Sequence, residues 1–413
     1  MKIAVIGSGI AGLGSAWLLS RQHEVVLFEK QRRLGGHTHT HPVSRWGKDY
    51  QVDTGFIVHN RQNYPLLSRL LEELRVETQP TTMGFSVQDA HSGLEYNATS
   101  LGGLFCQRGN LLSPRFIGMI AQIRRFYREC RSLLQLEGPG PTLGEYLREQ
   151  RYSRMFIDCH LVPMACALWS SPSESILGFP AKYLVRFMDN HDMLQVEGRP
   201  EWRVVSGGSA RYIEAMQARW DVSVRLDACV RSVRRDALSV LVASTAGEES
   251  FDQVVFACHS DEALALLADP SADESAILGA ISYQDNDTVL HTDARMLPTR
   301  PAAWAAWNAY LPDRVGAACT VSYCMNLLQS IQSPEPFVVT LNRSADIDPA
   351  KIIARMSYRH PVYTQASVAA QALRQRINGV RRSWYAGAYW GFGFHEDGLR
   401  SGVDVARALG SDW

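Results

Sequence analysis

The feature that most constrains the fold is a glycine-rich turn between an apolar run and a helical pattern. The run KIAVIG at 2–7 is short, β-branched and ends in glycine, and AGLGSAWLLS after it has the apolar spacing of a helix. Gly7, Gly9 and Gly12 supply the tight turn, the close approach to a pyrophosphate and the helix–strand packing of a G-x-G-x-x-G pattern. Because the helix N-terminus also offers free N–H groups to phosphates, this stretch predicts a dinucleotide site in an α/β fold.

A carboxylate after the second predicted strand narrows the choice of dinucleotide. The segment EVVLFEK at 24–30 predicts a strand, and Glu29 near its end lies 22 residues beyond Gly7. A carboxylate at this distance accepts hydrogen bonds from ribose hydroxyls and repels a 2′-phosphate, which disfavours NADP as the primary ligand. Lys30 follows directly and is predicted to contact the nucleotide as well.

Two further segments separate FAD from NAD by resemblance. EKQRRLGGHTHT resembles the R-x-G-G extension of the two-dinucleotide-binding flavoproteins, where an arginine reaches the pyrophosphate and the glycines let the backbone pass under the flavin. VDTGFIVHN at 52–60 resembles the D-x-G segment that these proteins place near the flavin ring. A nicotinamide enzyme needs neither segment, so the resemblance implies FAD. The residues that the resemblance assigns to the cofactor here are Arg33, Gly35, Gly36, His37, Thr54 and Gly55.

The C-terminal stretch 383–409 completes the predicted cofactor site. SWYAG predicts a strand, a glycine-rich loop follows, and a helix begins with two acids in its first turn. In the superfamily that this layout resembles, Gly387 lies by the pyrophosphate or ribityl chain, while Gly398 and Leu399 open a helix whose N-terminus faces the flavin pyrimidine. The positive end of that helix would stabilise the negative charge of a reduced flavin. The alternative is an ordinary capped surface helix.

The middle of the chain agrees with this layout. VVSGGSARYIEAM at 204–216 predicts a loop opening into a helix, residues 222–244 alternate like antiparallel strands, and FDQVVFACHS predicts a buried strand. The same resemblance places Val230 where a backbone amide and carbonyl touch the adenine, and Ala257 at the end of the buried strand.

Along nearly its whole length the sequence resembles bacterial FAD-dependent oxidoreductases of the flavin amine oxidase superfamily. It is most similar to a group often encoded beside cyclopropane-fatty-acid-synthase-like methyltransferases. The motifs GSGIAGLGSAWLLS, RLGGHTHT, VDTGFIVHN, VVFACHSDEALALL and GAYWGFGFHEDGLRSG carry the resemblance. It implies a Rossmann-like FAD domain of residues 1–80, 200–285 and 380–413. An inserted α+β substrate domain of residues 81–199 and 286–379 is expected to complete the chain.

The distribution of lysine departs from the pattern of the superfamily. Its amine and polyamine oxidases typically place a lysine, through a water, at flavin N5, on a strand of the substrate domain. This chain has no lysine between Lys182 and Lys351. Members that act on apolar substrates, such as carotenoid desaturases, need no such lysine, so the gap favours an apolar substrate over an amine.

Catalytic candidates come from aromatic segments of the predicted substrate domain. PMACALWSSPS and VRFMDNHDMLQV combine apolar walls with Trp169, Asn190 and His191. His191 is the best general-base candidate because the pKa of a histidine lies near neutrality, although a hydrogen-bonded structural histidine is the alternative. Tyr389 and Trp390 would form an aromatic wall beside the flavin or belong to the core.

Charge and composition bound the partners. The 42 basic and 42 acidic side chains balance, so no overall field favours a nucleic acid. The alternating histidines of HTHTH lack a carboxylate or cysteine ligand nearby, so no metal is expected. The N-terminal residues form a strand pattern rather than a signal peptide and no apolar run reaches 18 residues, so a cytoplasmic protein is expected.

Residues 115–135 leave two interpretations open. Their apolar positions form one helical stripe with arginines around the rest of the helix, which is typical of a core helix with a solvated basic face. The alternative is a helix that rests on an anionic membrane, here the inner membrane, and lets a lipid chain enter.

The sequence thus favours an FAD-dependent oxidoreductase that removes a hydride from a C–H bond of a largely apolar substrate, such as a lipid or acyl chain. A flavin amine oxidase that produces imine and hydrogen peroxide is the first alternative. The second is a non-redox flavoprotein of the sugar-mutase type, although no arginine clamp for a nucleotide sugar is evident in the sequence.

Overall fold

A parallel sheet, a larger mixed sheet and a cluster of helices make up the structure, a computed structural model that describes residues 1–169, 173–195, 198–313 and 319–413. The strands are β1 (Lys2–Ile6), β2 (Glu24–Phe28), β3 (Thr40–Arg45), β4 (Lys48–Asp53), β5 (Val58–His59), β6 (Thr78–Pro80), β7 (Phe85–Asp89), β8 (Leu94–Asn97), β9 (Arg203–Val205), β10 (Val222–Arg225), β11 (Val230–Arg235), β12 (Val240–Ser244), β13 (Gly247–Phe251), β14 (Gln253–Phe256), β15 (Tyr283–His291), β16 (Trp307–Leu311), β17 (Thr320–Cys324), β18 (Val338–Leu341), β19 (Ile352–Pro361) and β20 (Ser383–Tyr385). The helices are α1 (Ile10–Leu19), α2 (Pro65–Leu74), α3 (Leu101–Leu104), α4 (Pro114–Glu129), α5 (Leu143–Glu149), α6 (Arg154–Phe156), α7 (Val162–Trp169), α8 (Ser173–Leu177), α9 (Ala181–Asn190), α10 (Ala210–Gln217), α11 (Ser260–Leu266), α12 (Ala272–Gly279), α13 (Met325–Leu328), α14 (Gln365–Gln371) and α15 (His395–Ala408).

The parallel sheet has the strand order β10-β2-β1-β14-β20. Its central strands are β-branched, apolar and buried, as expected for strands covered on both faces. Helices α1 and α15 pack against each other closely because glycine occupies the points of contact. A Cβ at Gly14 would overlap the Leu399 side chain, and a Cβ at Gly402 would overlap the Ala11 carbonyl. The strand–turn–helix predicted for the N-terminus is therefore present, and the two ends of the chain meet on one sheet.

The prediction of antiparallel strands over residues 222–244 is wrong in its first part. Strand β10 pairs in parallel with β2, with Val224 opposite Leu27, and forms an edge of the central sheet. Strands β11, β12 and β13 do form an antiparallel meander. The alternation of apolar residues could not separate the two cases, because an edge strand of a parallel sheet also exposes one face.

The second large sheet has the order β19-β15-β18-β17-β16-β7-β8 and is antiparallel except for the β16–β7 pair. Helices α4 to α9 and the π-helical turn Ile157–Leu161 form an apolar cluster against it. The strands of this sheet fall in the segments expected for a substrate domain, apart from the first residues of β15. The division into two domains stays a prediction, with which the arrangement of the sheets agrees.

Helix α4 shows how the 115–135 segment is used. Phe116, Met119 and Phe126 are fully buried, whereas Ile120 and Ile123 are partly buried on a neighbouring face. The helix ends at Glu129 and continues as a 3-10 turn over Cys130–Gln135. Its apolar stripe therefore faces the interior. Within the described ranges, no helix is long and apolar enough to cross a membrane.

Candidate functional site

A cavity of about 1660 Å³ runs from the turn after β1 to the helix cluster. Sites for drug-sized ligands are about 300–1,000 Å³, so this cavity has room for a dinucleotide and a substrate together. Its nucleotide end contains most of the residues that the sequence assigns to the cofactor. These are Gly7, Gly9, Glu29, Lys30, Arg33, Gly35, Gly36, His37, Thr54, Gly55, Val230, Ala257, Gly387 and Gly398.

The three glycines of the first turn lie in three different environments. Gly7 has φ of +102°, and a Cβ there would lie 2.8 Å from the Ala257 carbonyl oxygen. A Cβ at Gly12 would overlap the Gly7 carbonyl, which packs the helix against the turn. A Cβ at Gly9 would meet no atom within 4 Å, because it points into the cavity before the N-terminus of α1. Gly9 therefore leaves open the space that a pyrophosphate needs beside the helix N-terminus.

Glu29 is held rigidly at the rim of the cavity. Its carboxylate accepts hydrogen bonds from the backbone N–H of Ser8 at 3.0 Å, from the Ser8 hydroxyl at 2.5 Å and from the backbone N–H of Gln31 at 2.8 Å. The side chain is buried where β2 ends. This geometry presents a negative charge next to the glycine turn, as binding of a ribose requires.

The guanidinium of Arg33 is bound by carbonyl oxygens instead of a carboxylate. It donates to the carbonyls of Thr38 at 3.1 Å and Gly36 at 2.8 Å. Burial lowers the pKa of Arg33, and no carboxylate of the described chain lies within ion-pair distance. An uncompensated cation on the cavity wall fits the pyrophosphate of a dinucleotide.

The first turn of α15 is buried, so the alternative of a surface helix does not apply. Glu396 accepts hydrogen bonds from the backbone N–H groups of Leu66 and Leu67 at 2.9 and 3.0 Å, which fixes α15 to α2. Asp397 accepts from the backbone N–H groups of Phe392 and Phe394, and burial raises its pKa to about 6. The helix start is thereby anchored from two sides, with Gly398 facing the cavity.

A group of aromatic rings lies near the R-x-G-G segment. The ring of His37 lies 5.1 Å from those of Tyr358 and His360 and 6.2 Å from that of His259. Burial lowers the pKa of His37, and it lowers the pKa of His360 to about 4, so both are neutral near pH 7. His37 Nε2 is buried without a hydrogen-bond partner among the described residues, as is the Tyr389 hydroxyl. Such orphaned groups beside a cavity fit a site whose bound ligand supplies their partners.

Sequence reasoning missed His259, Tyr358, His360 and His395 as members of this wall. His259 follows Ala257 and Cys258 directly, so its position after the predicted buried strand could have identified it as a site residue. Tyr358 and His360 lie on β19, whose pairing with β15 brings them to the cavity from a distant part of the chain. His395 stacks on Phe56 at 3.8 Å. The described residues contain no group of three or more His, Cys, Asp or Glu that could hold a metal ion.

The other end of the cavity is apolar. Its lining comes from β7, the loop before it, helices α3, α4, α7 and α9 and the segment after α9. The apolar members include Met83, Phe85, Leu101, Leu104, Ile120, Ile123, Met164, Leu168, Trp169, Phe187 and Met193.

Three of the residues proposed as catalytic, Trp169, His191 and Tyr389, line the cavity. Trp169 donates its indole N–H to the Phe392 carbonyl at 3.1 Å. The His191 ring stacks on Phe187 at 4.0 Å, and its Nδ1 donates to the Phe187 carbonyl at 2.9 Å. Because a carbonyl only accepts, the neutral ring carries its lone pair on Nε2. Burial lowers the pKa of His191, which keeps this nitrogen unprotonated near pH 7.

The structure does not bring Asn190, Trp390, Gly12 or Leu399 to the cavity. Asn190 has an exposed side chain at the end of α9. The Trp390 indole donates to the Tyr385 carbonyl at 3.0 Å and packs beside the core under the parallel sheet. Gly12 lies within α1 and Leu399 packs against it, so both stabilise the helix that borders the cofactor site.

The fold and the nucleotide end of the cavity define an FAD-binding flavoprotein of the two-dinucleotide-binding type. The chain belongs to the flavin containing amine oxidoreductase family, whose sequence profile matches residues 10–290. This membership confirms the predicted superfamily and its FAD cofactor.

One relative in Mycobacterium tuberculosis, named as the flavin-containing monoamine oxidase AofH, is 26% identical over 286 residues. The match covers 65% of this chain and 59% of that relative, so the chain spans about three fifths of the relative's length.

Solved structures share the fold at low sequence identity. Cyclohexylamine oxidase from Brevibacterium oxydans and a fatty acid isomerase from P. acnes each have a TM-score of 0.69 at 15% identity. Each match covers 99% of this chain and 98% of the other. Putrescine oxidase has a TM-score of 0.70 at 14% identity over the same shares. At these identities the likeness establishes the Rossmann-like architecture and leaves the substrate open.

Proposed function

We propose that the protein removes a hydride from a C–H bond of a largely apolar substrate, such as a lipid or acyl chain. The observation that carries the proposal is the continuity of one cavity from the nucleotide end to a wall of apolar side chains. FAD supplies the hydride acceptor when it is bound. The chain itself provides an apolar compartment that excludes water and orients a flexible substrate.

His191 is the group that we propose to accept the proton. Its Nε2 carries the lone pair, and the hydrogen bond to the Phe187 carbonyl together with the stacking on Phe187 fixes the ring plane. When a hydride leaves one carbon of the substrate, a proton has to leave the neighbouring atom so that a double bond forms between them. A neutral imidazole in an apolar wall is a competent base for that proton.

The position of the lysines supports an apolar substrate over an amine. Of the five lysines, Lys30 is the member that lines the cavity, where it pairs with Glu262 at 2.7 Å. Lys182 donates to main-chain carbonyls near Leu136, and Lys351 pairs with Glu335. A flavin amine oxidase is the second candidate because three of the proteins that this chain resembles are named as oxidases of amines.

The test is anaerobic reduction of the FAD-loaded protein, followed by flavin absorbance. We expect bleaching by long-chain acyl compounds and none by a panel of aliphatic and aromatic amines. Peroxide release with an amine would instead establish the second candidate.

His191→Gln is expected to slow bleaching by about 100-fold while FAD content is unchanged, because the proton loses its acceptor. His91→Gln is the control, since His91 is exposed and pairs with Asp313.

We also propose that the protein contacts a membrane near the apolar end of the cavity. Leu101, Leu111, Leu112 and Ile117 are 77%, 54%, 89% and 44% exposed, and Leu101 also lines the cavity. Between Glu95 and Glu129 the chain contains five arginines and no acid. Exposed leucines in an acid-free basic segment are typical of surfaces that bind anionic lipid. The proposed contact lies on residues 101–117. The sequence suggested the apolar stripe of residues 115–135 instead, but α4 turns that stripe toward the interior.

Cosedimentation with lipid vesicles tests this contact. We expect binding to vesicles that contain phosphatidylglycerol and loss of at least about tenfold in binding for Leu112→Glu, because a charge replaces a buried methyl group in the lipid phase. The control is Leu238→Glu, since Leu238 is also highly exposed but lies in the turn between β11 and β12. Equal binding of both variants would contradict the proposal.

A further inference from the structure

Two arginines at the apolar end of the cavity have no assigned role. We propose that Arg124 and Arg199 form an anion site for the acidic head group of an amphipathic substrate, leaving its chain to extend along the apolar wall. This inference rests on the proposed function and names its substrate class: a long apolar chain that ends in a carboxylate or a phosphate.

The charges around the cavity distinguish these two side chains from the others. Lys30 pairs with Glu262 at 2.7 Å, and Arg359 pairs with Asp261 at 2.6 Å. Arg33 belongs to the nucleotide end. For Arg124 and Arg199, no carboxylate in the described part of the chain lies within ion-pair distance, and the one nearby acid of the lining, Glu201, pairs with Arg203. The cationic side chains that line the cavity are Lys30, Arg33, Arg124, Arg199 and Arg359.

Helix α4 brings the two guanidinium groups to the same side of the cavity. Tyr127 lies one helical turn after Arg124, and Arg199 lies close enough to Tyr127 for its positive charge to offset part of the rise that burial causes in the pKa of the Tyr127 hydroxyl. Arg199 thereby reaches the cavity wall from the loop that follows α9. Both arginines are exposed at one end, so a head group bound between them would keep contact with water at the mouth.

A histidine beside Arg199 gives a second indication of a ligand. His160 is 4% exposed and lines the cavity, with its Nδ1 hydrogen-bonded to the Tyr96 hydroxyl at 2.9 Å. Its other ring nitrogen, Nε2, is buried and has no hydrogen-bond partner among the residues described. Burial, and then the charge of Arg199, lower the pKa of His160 to about 4, so the ring is neutral and close to that guanidinium. Because the Tyr96 hydroxyl gives its hydrogen to the Cys159 carbonyl at 2.8 Å, His160 Nδ1 donates to that hydroxyl and Nε2 is an acceptor. The missing partner is therefore a donor, such as a hydroxyl of the head group or of a protonated phosphate.

The chemistry of the pair selects an anion. A guanidinium binds a carboxylate or a phosphate through two parallel N–H donors. An ammonium group at the same place would face two positive charges with no compensating carboxylate among the described residues of the lining. The pair therefore favours acidic amphiphiles and disfavours amines of the same chain length.

Calorimetric binding to the FAD-loaded protein, without turnover, tests this site. The probes are oleate, its methyl ester, oleylamine and oleoyl lysophosphatidic acid. We expect oleate or the lysophosphatidic acid to bind at least about tenfold more tightly than the ester and the amine, and the preferred member identifies carboxylate or phosphate. Equal affinity for all four probes would overturn the proposal.

Single variants connect this preference to the two residues. Arg124→Met and Arg199→Met are each expected to weaken binding of the preferred acid at least about tenfold and to leave the ester unaffected. Arg128→Met is the control, since Arg128 lies on the same helix, is exposed and pairs with Glu129. Unchanged acid binding by both Met variants would also overturn the site.

The outcome separates this inference from the proposed function. Tight acid binding that never bleaches the flavin would support the anion site and contradict the hydride transfer. Bleaching by the uncharged ester at the same rate as by the acid, in the wild type and in both variants, would support the hydride transfer and contradict the anion site.

Discussion

Gly9→Val is expected to give a folded protein that does not retain FAD. The backbone of Gly9 has φ of −65° and ψ of 175°, which valine adopts without strain, and a Cβ there meets no protein atom within 4 Å. The added side chain would instead fill the space before α1 where the pyrophosphate has to lie. We expect FAD to be absent from the purified variant, measured as the ratio of flavin to protein absorbance, with an unchanged circular dichroism spectrum.

Two other glycines provide the comparison. Gly109→Val is the control, because Gly109 has an equally open Cβ position but lies outside the cavity lining, and its FAD content should match the wild type. Gly12→Val should instead impair folding, because its Cβ would overlap the Gly7 carbonyl. A Gly9→Val protein that purifies with a full complement of FAD would show that the cofactor does not bind at this turn.

Arg235→Met is expected to lower the free energy of unfolding by about 3–5 kcal/mol, because it leaves a buried carboxylate without its cation. Arg235 has a fully buried side chain on β11 and forms a bidentate pair with Glu274 of α12. It also donates to the Ser383 hydroxyl at 3.1 Å, which connects the meander to β20. Burial alone would raise the pKa of Glu274, but the hydrogen bonds from Arg235 and its neighbours lower it to about 2.

Chemical denaturation at pH 7 measures this change. Arg125→Met is the control, because the Arg125–Glu129 pair is partly exposed and such surface pairs contribute about 0–1 kcal/mol. Adding Glu274→Leu to Arg235→Met should recover part of the loss, since the unpaired charge is then removed. If Arg235→Met were as stable as the Arg125→Met control, the prediction would be contradicted, and water would have to hydrate the unpaired carboxylate of Glu274.

Local patterns were sufficient to place the glycine turn and the acid after β2 beside the cavity. Gly7, Gly9 and Glu29 each lie within a strand–turn unit whose spacing follows from backbone geometry, so their positions did not depend on the rest of the chain. Gly398 was assigned by the resemblance instead, although the helix that contains it is marked locally by its acids. The structure assigns those acids to anchoring α2 and the preceding loop, a detail that depends on neighbours outside the helix.

The substrate half was less accessible to sequence reasoning. His191 and Trp169 were predicted because they stand in apolar segments, and both line the cavity, but Asn190, the neighbour of His191, turns away from it. Adjacent residues at a helix end point in different directions, and only the orientation of α9 decides which one faces the cavity. Arg199 carried no signal at all, because an arginine in a polar loop looks the same whether it faces solvent or a cavity.

The sequence by itself determined the Rossmann-like strand–turn–helix, because short-range spacing encodes it, while the resemblance to a flavoprotein superfamily implied the FAD cofactor and the meeting of the two chain ends. Only the tertiary structure decided that β19 brings Tyr358 and His360 to His37, that α4 turns its apolar stripe inward, and that Arg124 and Arg199 share one end of the cavity. These contacts join residues that are far apart in the chain. They are selected by the packing of whole sheets and helices, which no local pattern records.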